Sequence, residues 1–316
     1  MFKGDTKLVR SLLEANSFQH TEGHDWNLLW SSGNCKQYLY EGLNEWQKIN
    51  HFPQSYELTR KDKLAINIRR MQSKFSKEAF GFIPDTYVIP DEYSSFVTQL
   101  NHDKKQNPNS LWIVKPHNMS RGRGIYLVDD VSEVSLDEVS VVSKYISNPF
   151  LINGRKFDLR IYVLVTCLDP LRIYVFKEGL VRFATHAYDE SSQGKTDKFM
   201  HLTNYSINKK SSAFVQSNNL EHDDSGSKWS LSAFCSHLEM INTDMDLFWS
   251  RIYDVILKSI ISCEDLMFQA SKQTCIHRSN CFEIFGYDIL IDSDLKPWLV
   301  EINLSPSLAC DSNLDM

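Results

Sequence analysis

The sequence has 316 residues, of which 42% are hydrophobic and 12% aromatic, so it can bury substantial cores and form two or three small domains. Its formal net charge of −6 argues against a general nucleic-acid-binding protein. The seven cysteines are an odd number without a C-x-x-C pair, so neither a disulfide framework nor a standard zinc site is indicated.

The N-terminal ninety residues contain no pattern that indicates chemistry. Nothing there has the apolar core of a signal peptide, and no run in the chain approaches the roughly 18 apolar residues of a membrane span. We therefore expect a cytoplasmic protein without membrane contacts. An amphipathic helix is predicted from Tyr56 to Phe75 and a strand from Ile83 to Ile89, after which Asp91 is expected to cap a helix ending near Leu100.

A glycine-containing loop between two predicted strands is the first candidate site. The first strand ends at Lys115, the loop covers residues 120–124 (SRGRG), and the second strand runs from Ile125 to Val128. A Walker loop is excluded because it requires a following helix. Glycines still let backbone N–H groups turn inward around phosphate. An ordinary hairpin turn would use the same glycines, but Lys115 at the end of a buried strand favours phosphate binding.

The strand predicted from Lys156 to Val165 carries charges of both signs on one face. Lys156, Asp158 and Arg160 alternate with apolar residues, and such a face beside a buried sheet is more often a site than a surface. A second hairpin is predicted after it, with strands 171–176 and 180–184, the latter carrying Arg182. Residues 143–182 contain seven basic against three acidic side chains, so this segment favours anions.

Three further segments are open to more than one interpretation. The end of a predicted strand, Ser143 to Ile146, either presents backbone groups to an adenine edge or is simply part of the core. His201 to Asn208 suits either a turn or nucleotide contacts. Lys228 leads into a predicted helix ending near Ile241, and the long amphipathic helix predicted from Asp244 to Lys272 is interpreted as core.

Near the C-terminus, two apolar runs flank a polar insert at residues 292–297, which predicts a β-hairpin. If it closes between residues 294 and 295, Asp288 faces Glu301 at roughly 5 Å, and Asn303 shares the face of Glu301. Opposed carboxylates repel each other, and Mg²⁺ is the simplest compensation. The alternative is a solvent-facing hairpin, against which the apolar stretch Trp298 to Ile302 argues.

Nine motifs occur in an order that resembles the tubulin-tyrosine-ligase-like amino-acid ligases, and among them the polyglutamylases. They are WIVKP, SRGRGI, SKYI, RKFDLR, VRFAT, HLTNYS, GSKWS, FGYDILID and EINLSPSLACD. The resemblance implies an α/β (α+β) ATP-grasp fold with mixed and antiparallel sheets. We expect an N-terminal domain (1–90), a central ATP-grasp lid domain (91–148) and a C-terminal ATP-grasp catalytic domain (149–316).

The resemblance also implies roles for individual residues. ATP would be bound by Lys115, Arg121, Gly122, Ser143, Lys144, Tyr145, Ile146, Lys156, Phe157, Asp158, Thr203 and Asn204. Mg²⁺ would be held by Asp288, Glu301 and Asn303, and the incoming L-glutamate by Arg182, Ser206 and Lys228. The catalytic residues would be Arg160, which faces the terminal phosphate, together with Glu301 and Arg121.

By the same resemblance, the reaction adds L-glutamate to a glutamate side chain in a tubulin C-terminal tail through an acyl phosphate. Arg121 further indicates an enzyme that starts branches. We expect a monomer that contacts microtubules, lies on the cytoskeleton and is found at a cilium, basal body or centrosome. Two alternatives stay open: a catalytically inactive microtubule-binding module, and a related ATP-grasp ligase that modifies another protein or adds glycine.

Overall fold

The computed structural model describes residues 1–3, 7–117, 119, 122–189, 195–215 and 226–308. The strands are β1 (Phe2–Lys3), β2 (Leu28–Ser31), β3 (Lys48–Ile49), β4 (Thr86–Ile89), β5 (Trp112–Pro116), β6 (Tyr126–Val128), β7 (Ser140–Lys144), β8 (Leu151–Ile152), β9 (Arg155–Leu168), β10 (Leu171–Phe183), β11 (Lys228–Ser230), β12 (Glu283–Ile291) and β13 (Pro297–Asn303). The helices are α1 (Lys7–Ala15), α2 (Tyr56–Thr59), α3 (Lys61–Lys74), α4 (Tyr93–Gln106), α5 (Lys198–His201), α6 (Tyr205–Asn208), α7 (Leu231–Met240) and α8 (Met245–Thr274), with 3₁₀ turns at Gln37–Leu39 and Val131–Glu133.

These strands form three sheets. A small parallel sheet has the order β1-β2-β3, a central antiparallel sheet has the order β4-β7-β5-β6, and a larger antiparallel sheet has the order β11-β10-β9-β12-β13, with β8 paired to β9. The predicted mixed α+β class is therefore confirmed. Among the described residues, no helix is both long and apolar enough to cross a membrane.

The hydrophobic residues form two cores. The larger core joins the larger sheet, α7 and α8 to N-terminal residues such as Leu29, Ile49 and Ile68, so the N-terminal segment packs on the larger sheet. The smaller core lies between the central sheet and α4. Because β4 pairs with β7, the central sheet begins before residue 90. The division of the chain into domains at residues 90 and 148 stays a prediction.

A buried polar contact fixes the N-terminal segment to the start of β12. His51 Nδ1 lies 2.7 Å from Glu283 Oε1, and the Phe52 N–H donates to Glu283 Oε2 at 2.9 Å. The other ring nitrogen of His51 lies 2.9 Å from the Ser31 carbonyl oxygen. Since β12 also carries Asp288, this contact holds the strand that builds the candidate site.

Three predicted elements differ from the structure. Asp91 does not cap α4, which begins after Glu92 and continues beyond Leu100 to Gln106. The helix expected from Tyr56 to Phe75 is broken at Arg60, whose ψ of 129° is extended, so that α2 and α3 are separate helices. The hairpin expected within residues 171–184 is wrong: β10 is one long strand paired with β9, with a register shift between Val175 and Gly179. Gly179 permits this approach because a Cβ there would lie 2.4 Å from the Arg160 carbonyl oxygen.

Candidate active site

The C-terminal hairpin places two carboxylates opposite each other. Asp288 on β12 pairs with Glu301 on β13, as predicted, but the predicted closure between residues 294 and 295 is wrong, since Ile291 pairs with Pro297. Beyond this pair the register shifts by one residue, so that Ile289 faces Leu299. This bulge puts Leu299 and Ile302 in the core and leaves Glu301 on the other face, beside Asn303. The Asn303 amide donates to Asp288 Oδ2 at 3.3 Å, so the three predicted ligands meet.

Two arginines on neighbouring strands bind Asp288. Arg160 donates from Nε to Asp288 Oδ1 at 2.6 Å and from Nη2 to Oδ2 at 3.1 Å. Arg182 Nη2 lies 3.0 Å from Asp288 Oδ2, and Arg182 Nε donates to Asp158 Oδ1 at 2.8 Å. Strand alternation and pairing explain the arrangement, since Arg182 faces Asp158 and Arg160 faces Asp288. The predicted charged face of β9 therefore becomes a buried ion network.

The network shifts the acid–base properties of its members. Burial would raise the pKa of Asp288, but the charges of Arg160 and Arg182 outweigh it and lower that pKa to about 2. Burial likewise opposes the charge on Arg182, yet Asp158 and Asp288 raise its pKa above the ordinary value. Asp288 is thus ionised at neutral pH, and Arg182 is bound by two carboxylates before any ligand enters.

Glycine is required where Arg160 crosses β12. A Cβ at Gly286 would lie 2.7 Å from Pro306 Cβ and 3.4 Å from Arg160 Cδ. Any larger residue would therefore displace the arginine or the segment after β13. Gly286 is in the predicted FGYDILID motif, but nothing in the sequence alone distinguishes this steric role from that of an ordinary strand residue.

Two lysines point into the same cleft. Burial lowers the pKa of Lys115 to about 8, and burial together with the nearby charge of Lys115 lowers the pKa of Lys156 to about 7. Lys156 Nζ donates to the Tyr145 hydroxyl at 3.0 Å. That hydroxyl in turn lies 2.8 Å from His201 Nδ1. Neither lysine has a carboxylate within ion-pair distance among the described residues, so both are suited to an anionic ligand.

A residue of the N-terminal segment, which the sequence did not indicate as part of the site, neutralises the second carboxylate, Glu301. Lys61, the first residue of α3, lies with its Nζ 3.1 Å from Glu301 Oε2. Lys61 and Thr59 both line the cleft, and they lie on either side of the break between α2 and α3 at Arg60. The hydrophobic pattern that predicted one continuous helix concealed the break, and no charge motif in this segment could have revealed the contact.

One wall of the cleft brings together two predicted ATP-binding segments. Gly122 adopts a φ of +74°, and a Cβ there would lie 2.3 Å from Ile207 Cδ1 and 2.8 Å from Asn204 Oδ1. Thr203 and Asn204 also line the cleft. The glycine loop therefore packs directly on the turn that carries these residues. Arg121, predicted to be catalytic and to bind ATP, lies outside the described residues.

The remaining predicted ATP-binding residues occupy different positions. Ser143, Tyr145 and Ile146 line the cleft. The Lys144 side chain pairs instead with Asp103 of α4 at 2.9 Å, so only its backbone is suited to ligand contact. Phe157 points into the larger core, where it packs on Phe183 with ring centroids 5.6 Å apart. Its side chain is therefore directed away from the cleft face of β9.

The three predicted glutamate-binding residues are partly clustered. Lys228 on β11 lies opposite Arg182 on β10, and its ammonium is 5.5 Å from the ring centroid of Tyr205. Ser206 follows Tyr205 in the short helix α6. Lys228 thus neighbours both Arg182 and the short helix that carries Ser206, whereas Arg182 lies within the ion network.

The donor set fits a magnesium–nucleotide ligand. Within the described residues, no group of three or more His, Cys, Asp or Glu side chains could hold a metal ion alone. Mg²⁺ in nucleotide sites, however, uses one or two carboxylates together with phosphate oxygens. Asp288 and Glu301 supply two carboxylates whose charge is now compensated by Arg160, Arg182 and Lys61. The buried Lys156 and the partly buried Lys115 line the same cleft and match phosphate.

A charged cleft lined by a central antiparallel sheet and a larger antiparallel sheet is the arrangement of an ATP-grasp-like protein. A model described as "Tubulin-tyrosine ligase family" matches residues 40–316. The chain belongs to the tubulin-tyrosine ligase family, and the predicted ATP-grasp fold is confirmed.

Several relatives of this chain have assigned names. "Tubulin polyglutamylase TTLL5" of Homo sapiens is 49% identical over 314 residues, which cover 99% of this chain and 24% of that protein. "Tubulin polyglutamylase ttll-5" of Caenorhabditis elegans is 39% identical, covering 100% and 44%. "Tubulin monoglutamylase TTLL4" of Homo sapiens is 41% identical, covering 98% and 25%. The chain thus spans about a quarter of the length of these two human relatives.

Proposed function

We propose that this chain contains the catalytic region of an ATP-dependent tubulin polyglutamylase, which adds L-glutamate to glutamate side chains of tubulin C-terminal tails. The observation that carries the proposal is a cleft lined by Lys115, Lys156 and the opposed carboxylates Asp288 and Glu301, with Arg160 and Arg182 bound to Asp288. The names of the relatives, two tubulin polyglutamylases and a tubulin monoglutamylase, support tubulin as the substrate.

Separate sets of cleft residues are proposed to bind ATP and Mg²⁺. Lys115, Lys156, Gly122, Thr203 and Asn204 are proposed to bind ATP, and Asp288, Glu301 and Asn303 to hold Mg²⁺. When bound, these ligands supply a transferable phosphoryl group and neutralise its charge, so that an acceptor carboxylate becomes an acyl phosphate for attack by an amine.

The protein's own contribution is orientation and charge. Arg160 is held rigidly by two hydrogen bonds to Asp288, so its guanidinium is preorganised to stabilise phosphate oxygens. Lys228 and Ser206 are proposed to bind the incoming glutamate, whose two carboxylates require fixed cations and donors. Arg182 contributes by keeping Asp288 ionised, and by offering guanidinium N–H donors to the glutamate.

The direct test is incorporation of labelled amino acid into microtubules. Radiolabelled glutamate or glycine is supplied with ATP and Mg²⁺ to the purified chain, and Glu301→Gln serves as the inactive control. We expect ATP-dependent incorporation of glutamate alone. Incorporation of glycine would support a glycine ligase, and microtubule binding without incorporation would support an inactive binding module. Either result would overturn the proposal.

Arg121 is proposed to make the enzyme branch-initiating. An internal acceptor offers one carboxylate, whereas a growing chain end offers two, so an extra cation beside the acyl phosphate favours one geometry of attack. Wild type should add mostly single glutamates to internal acceptors, and Arg121→Gln should shift the product toward longer chains, as measured by mass spectrometry of tubulin tails. Long chains from wild type would refute this role.

The setting of the reaction is also a proposal. We infer that the enzyme works as a monomer in the cytoplasm, on the cytoskeleton, and that its location follows that of glutamylated microtubules in a cilium, basal body or centrosome. Fluorescence microscopy of the tagged protein with an antibody to glutamylated tubulin tests this location. Sedimentation of the purified chain tests the monomer.

A further inference from the structure

Two cysteines lie side by side at the end of the larger sheet away from the nucleotide cleft. Cys275 follows the last residue of α8, and Cys281 lies two residues before the start of β12. Their sulfur atoms are 3.7 Å apart, and both thiols are free. Cys281 is buried with 3% exposure, whereas Cys275 is only partly buried and is therefore the more accessible of the two.

The geometry permits a covalent bond without a change of fold. A disulfide requires its sulfurs about 2.05 Å apart, so the gap must close by less than about 2 Å, which side-chain rotation can supply. The hydrogen bond between the thiols also distinguishes them. It lowers the pKa of Cys275, while the same bond and burial raise the pKa of Cys281. The accessible thiol is thus the one that ionises more easily.

We propose that Cys275 and Cys281 form a reversible disulfide when the protein meets hydrogen peroxide. The Cys275 thiolate attacks a peroxide oxygen, the O–O bond breaks, and the departing hydroxide takes up a proton as water, leaving a sulfenic acid on Cys275. The Cys281 sulfur then attacks the sulfenic sulfur, its proton leaves with the hydroxyl as a second water, and the S–S bond forms. Two thiols lose two electrons, and peroxide gains them.

The bond would close a loop that anchors the N-terminal segment. Within the loop, Lys48 Nζ donates to Ser279 Oγ at 2.7 Å, and Asn280 Nδ2 donates to the Gln47 carbonyl oxygen at 2.7 Å. The Ile49 N–H also donates to the Asn280 carbonyl oxygen at 2.8 Å. Because the disulfide joins the two ends of this loop, oxidation restrains the segment that holds β3 against the start of β12. The proposal is independent of the proposed ligase activity.

Two other thiols near the loop are alternative disulfide partners for Cys281. Cys167 Sγ lies 3.9 Å from the Arg278 carbonyl oxygen, and Cys35 packs against the core that contains Cys281. If oxidation were not restricted to the nearest pair of thiols, Cys35 or Cys167 would compete with Cys275 for Cys281. The 3.7 Å separation and the accessibility of Cys275 favour the pair proposed here.

Peptide mapping of the whole chain tests the pair directly. The protein is treated with hydrogen peroxide, remaining thiols are alkylated, and it is digested with trypsin and chymotrypsin without reductant. Trypsin cleaves after Lys272 and Arg278, and chymotrypsin after Phe282, so the two cysteines fall in separate peptides, 273–278 and 279–282. We expect these peptides to be linked to each other and to separate again after dithiothreitol.

A matched pair of variants supplies the control. Cys275→Ser should leave Cys281 open to alkylation after denaturation of the peroxide-treated protein, whereas Cys235→Ser, at a partly buried thiol on α7, should leave the linked peptides unchanged. Cys281 alkylated in peroxide-treated wild type, or linked to Cys35 or Cys167 instead, would overturn the proposal.

Discussion

Asp288 and Glu301 face each other across β12 and β13, but cations from different parts of the chain neutralise them. Arg160 and Arg182, both from the larger sheet, hold Asp288, whereas Lys61 of α3 holds Glu301. Asp288 is therefore part of the buried framework of the sheet, while Glu301 pairs with Lys61 of the N-terminal segment. The two carboxylates should respond differently to the loss of charge.

Replacing each carboxylate by its amide separates structure from catalysis. Asp288→Asn leaves two buried guanidiniums without their shared counter-ion, so we expect a loss of about 3 kcal/mol in the free energy of unfolding. Glu301→Gln breaks only a partly exposed pair and should cost less than about 1 kcal/mol, yet lower ligation by about a hundredfold or more. Denaturant unfolding and steady-state rates measure these effects. A Glu301→Gln enzyme that ligates normally would remove Glu301 from the metal site.

Lowering the pH should weaken the contribution of Asp288 to the free energy of unfolding. Its pKa is lowered from 3.8 to about 2 in the folded protein, so the stabilisation is fully present above pH 3.8 and is lost as the pH falls toward 2. Arg160→Met should reduce this dependence because it removes the largest charge that lowers the pKa. Unfolding free energies of wild type and variant, measured between pH 5 and about 2.5, should converge as the pH falls. Parallel curves would contradict the assignment.

Loss of the Lys61 charge should weaken ATP binding most when no divalent ion is present. Without Lys61, Glu301 leaves an uncompensated negative charge beside the site proposed for phosphate, so Lys61→Met should weaken ATP binding in EDTA on the order of tenfold. Mg²⁺ should restore most of the affinity. Lys63→Met is the control, because Lys63 lies on the same helix and pairs with Glu57 at 3.6 Å. Calorimetric titration showing equal effects of the two substitutions would refute this role.

A methyl group on the glycine loop should obstruct the cleft. Gly122→Ala would bring a Cβ against Ile207 and Asn204, and its φ of +74° adds backbone strain. Gly154→Ala, at φ +69° with no atom within 4 Å, carries the strain without the crowding. We therefore expect ATP affinity to fall about tenfold or more in Gly122→Ala only. Comparable affinities in the two variants would show that the loop does not contribute to binding.

The buried His51–Glu283 contact predicts a loss of stability in alkali. Both ring nitrogens of His51 face oxygen acceptors, so the ring must carry two protons when Glu283 is ionised. Burial opposes that charge, but Glu283 outweighs it and raises the pKa of His51 above 6.5. The stabilisation is full below pH 6.5 and falls as the pH rises through the folded value.

Unfolding measured from pH 6 to about 9 tests this contact. The wild-type slope also contains Lys115 and Lys156, whose lowered pKa values add stability as the pH rises. Relative to that slope, His51→Gln should therefore lose less stability, or gain more, across the range. His24→Gln, at an exposed histidine, should leave the wild-type slope unchanged. An unaltered slope in His51→Gln would show that another group is responsible.

The sequence predicted the parts of the site that depend on strand periodicity. Alternation on β9 placed Lys156, Asp158 and Arg160 on one face, which follows from the two-residue repeat of a strand with one buried face. The pairing of Asp288 with Glu301 was also predicted, but it depends on the bulge between Asp288 and Ile289, which the turn composition did not indicate.

The parts that depend on contacts between distant segments could not be predicted. The apolar stripe of residues 56–75 continues through Arg60, so the break that delivers Lys61 to Glu301 left no trace in the pattern. The register shift in β10 likewise depends on the approach of Gly179 to Arg160, which no local signal encodes. The contacts of Arg182 with two carboxylates, Asp158 and Asp288, likewise depend on the pairing of β9, β10 and β12.

The cleft built on Asp288 and Glu301 is proposed to join glutamate to tubulin with consumption of ATP. The most direct measurement is the intact mass of tubulin C-terminal tails after incubation with the chain, glutamate, ATP and Mg²⁺. We expect increments of one glutamyl residue with wild type, and none without ATP or with Glu301→Gln. Equal increments in either control, or increments of glycine when both amino acids are present, would contradict it.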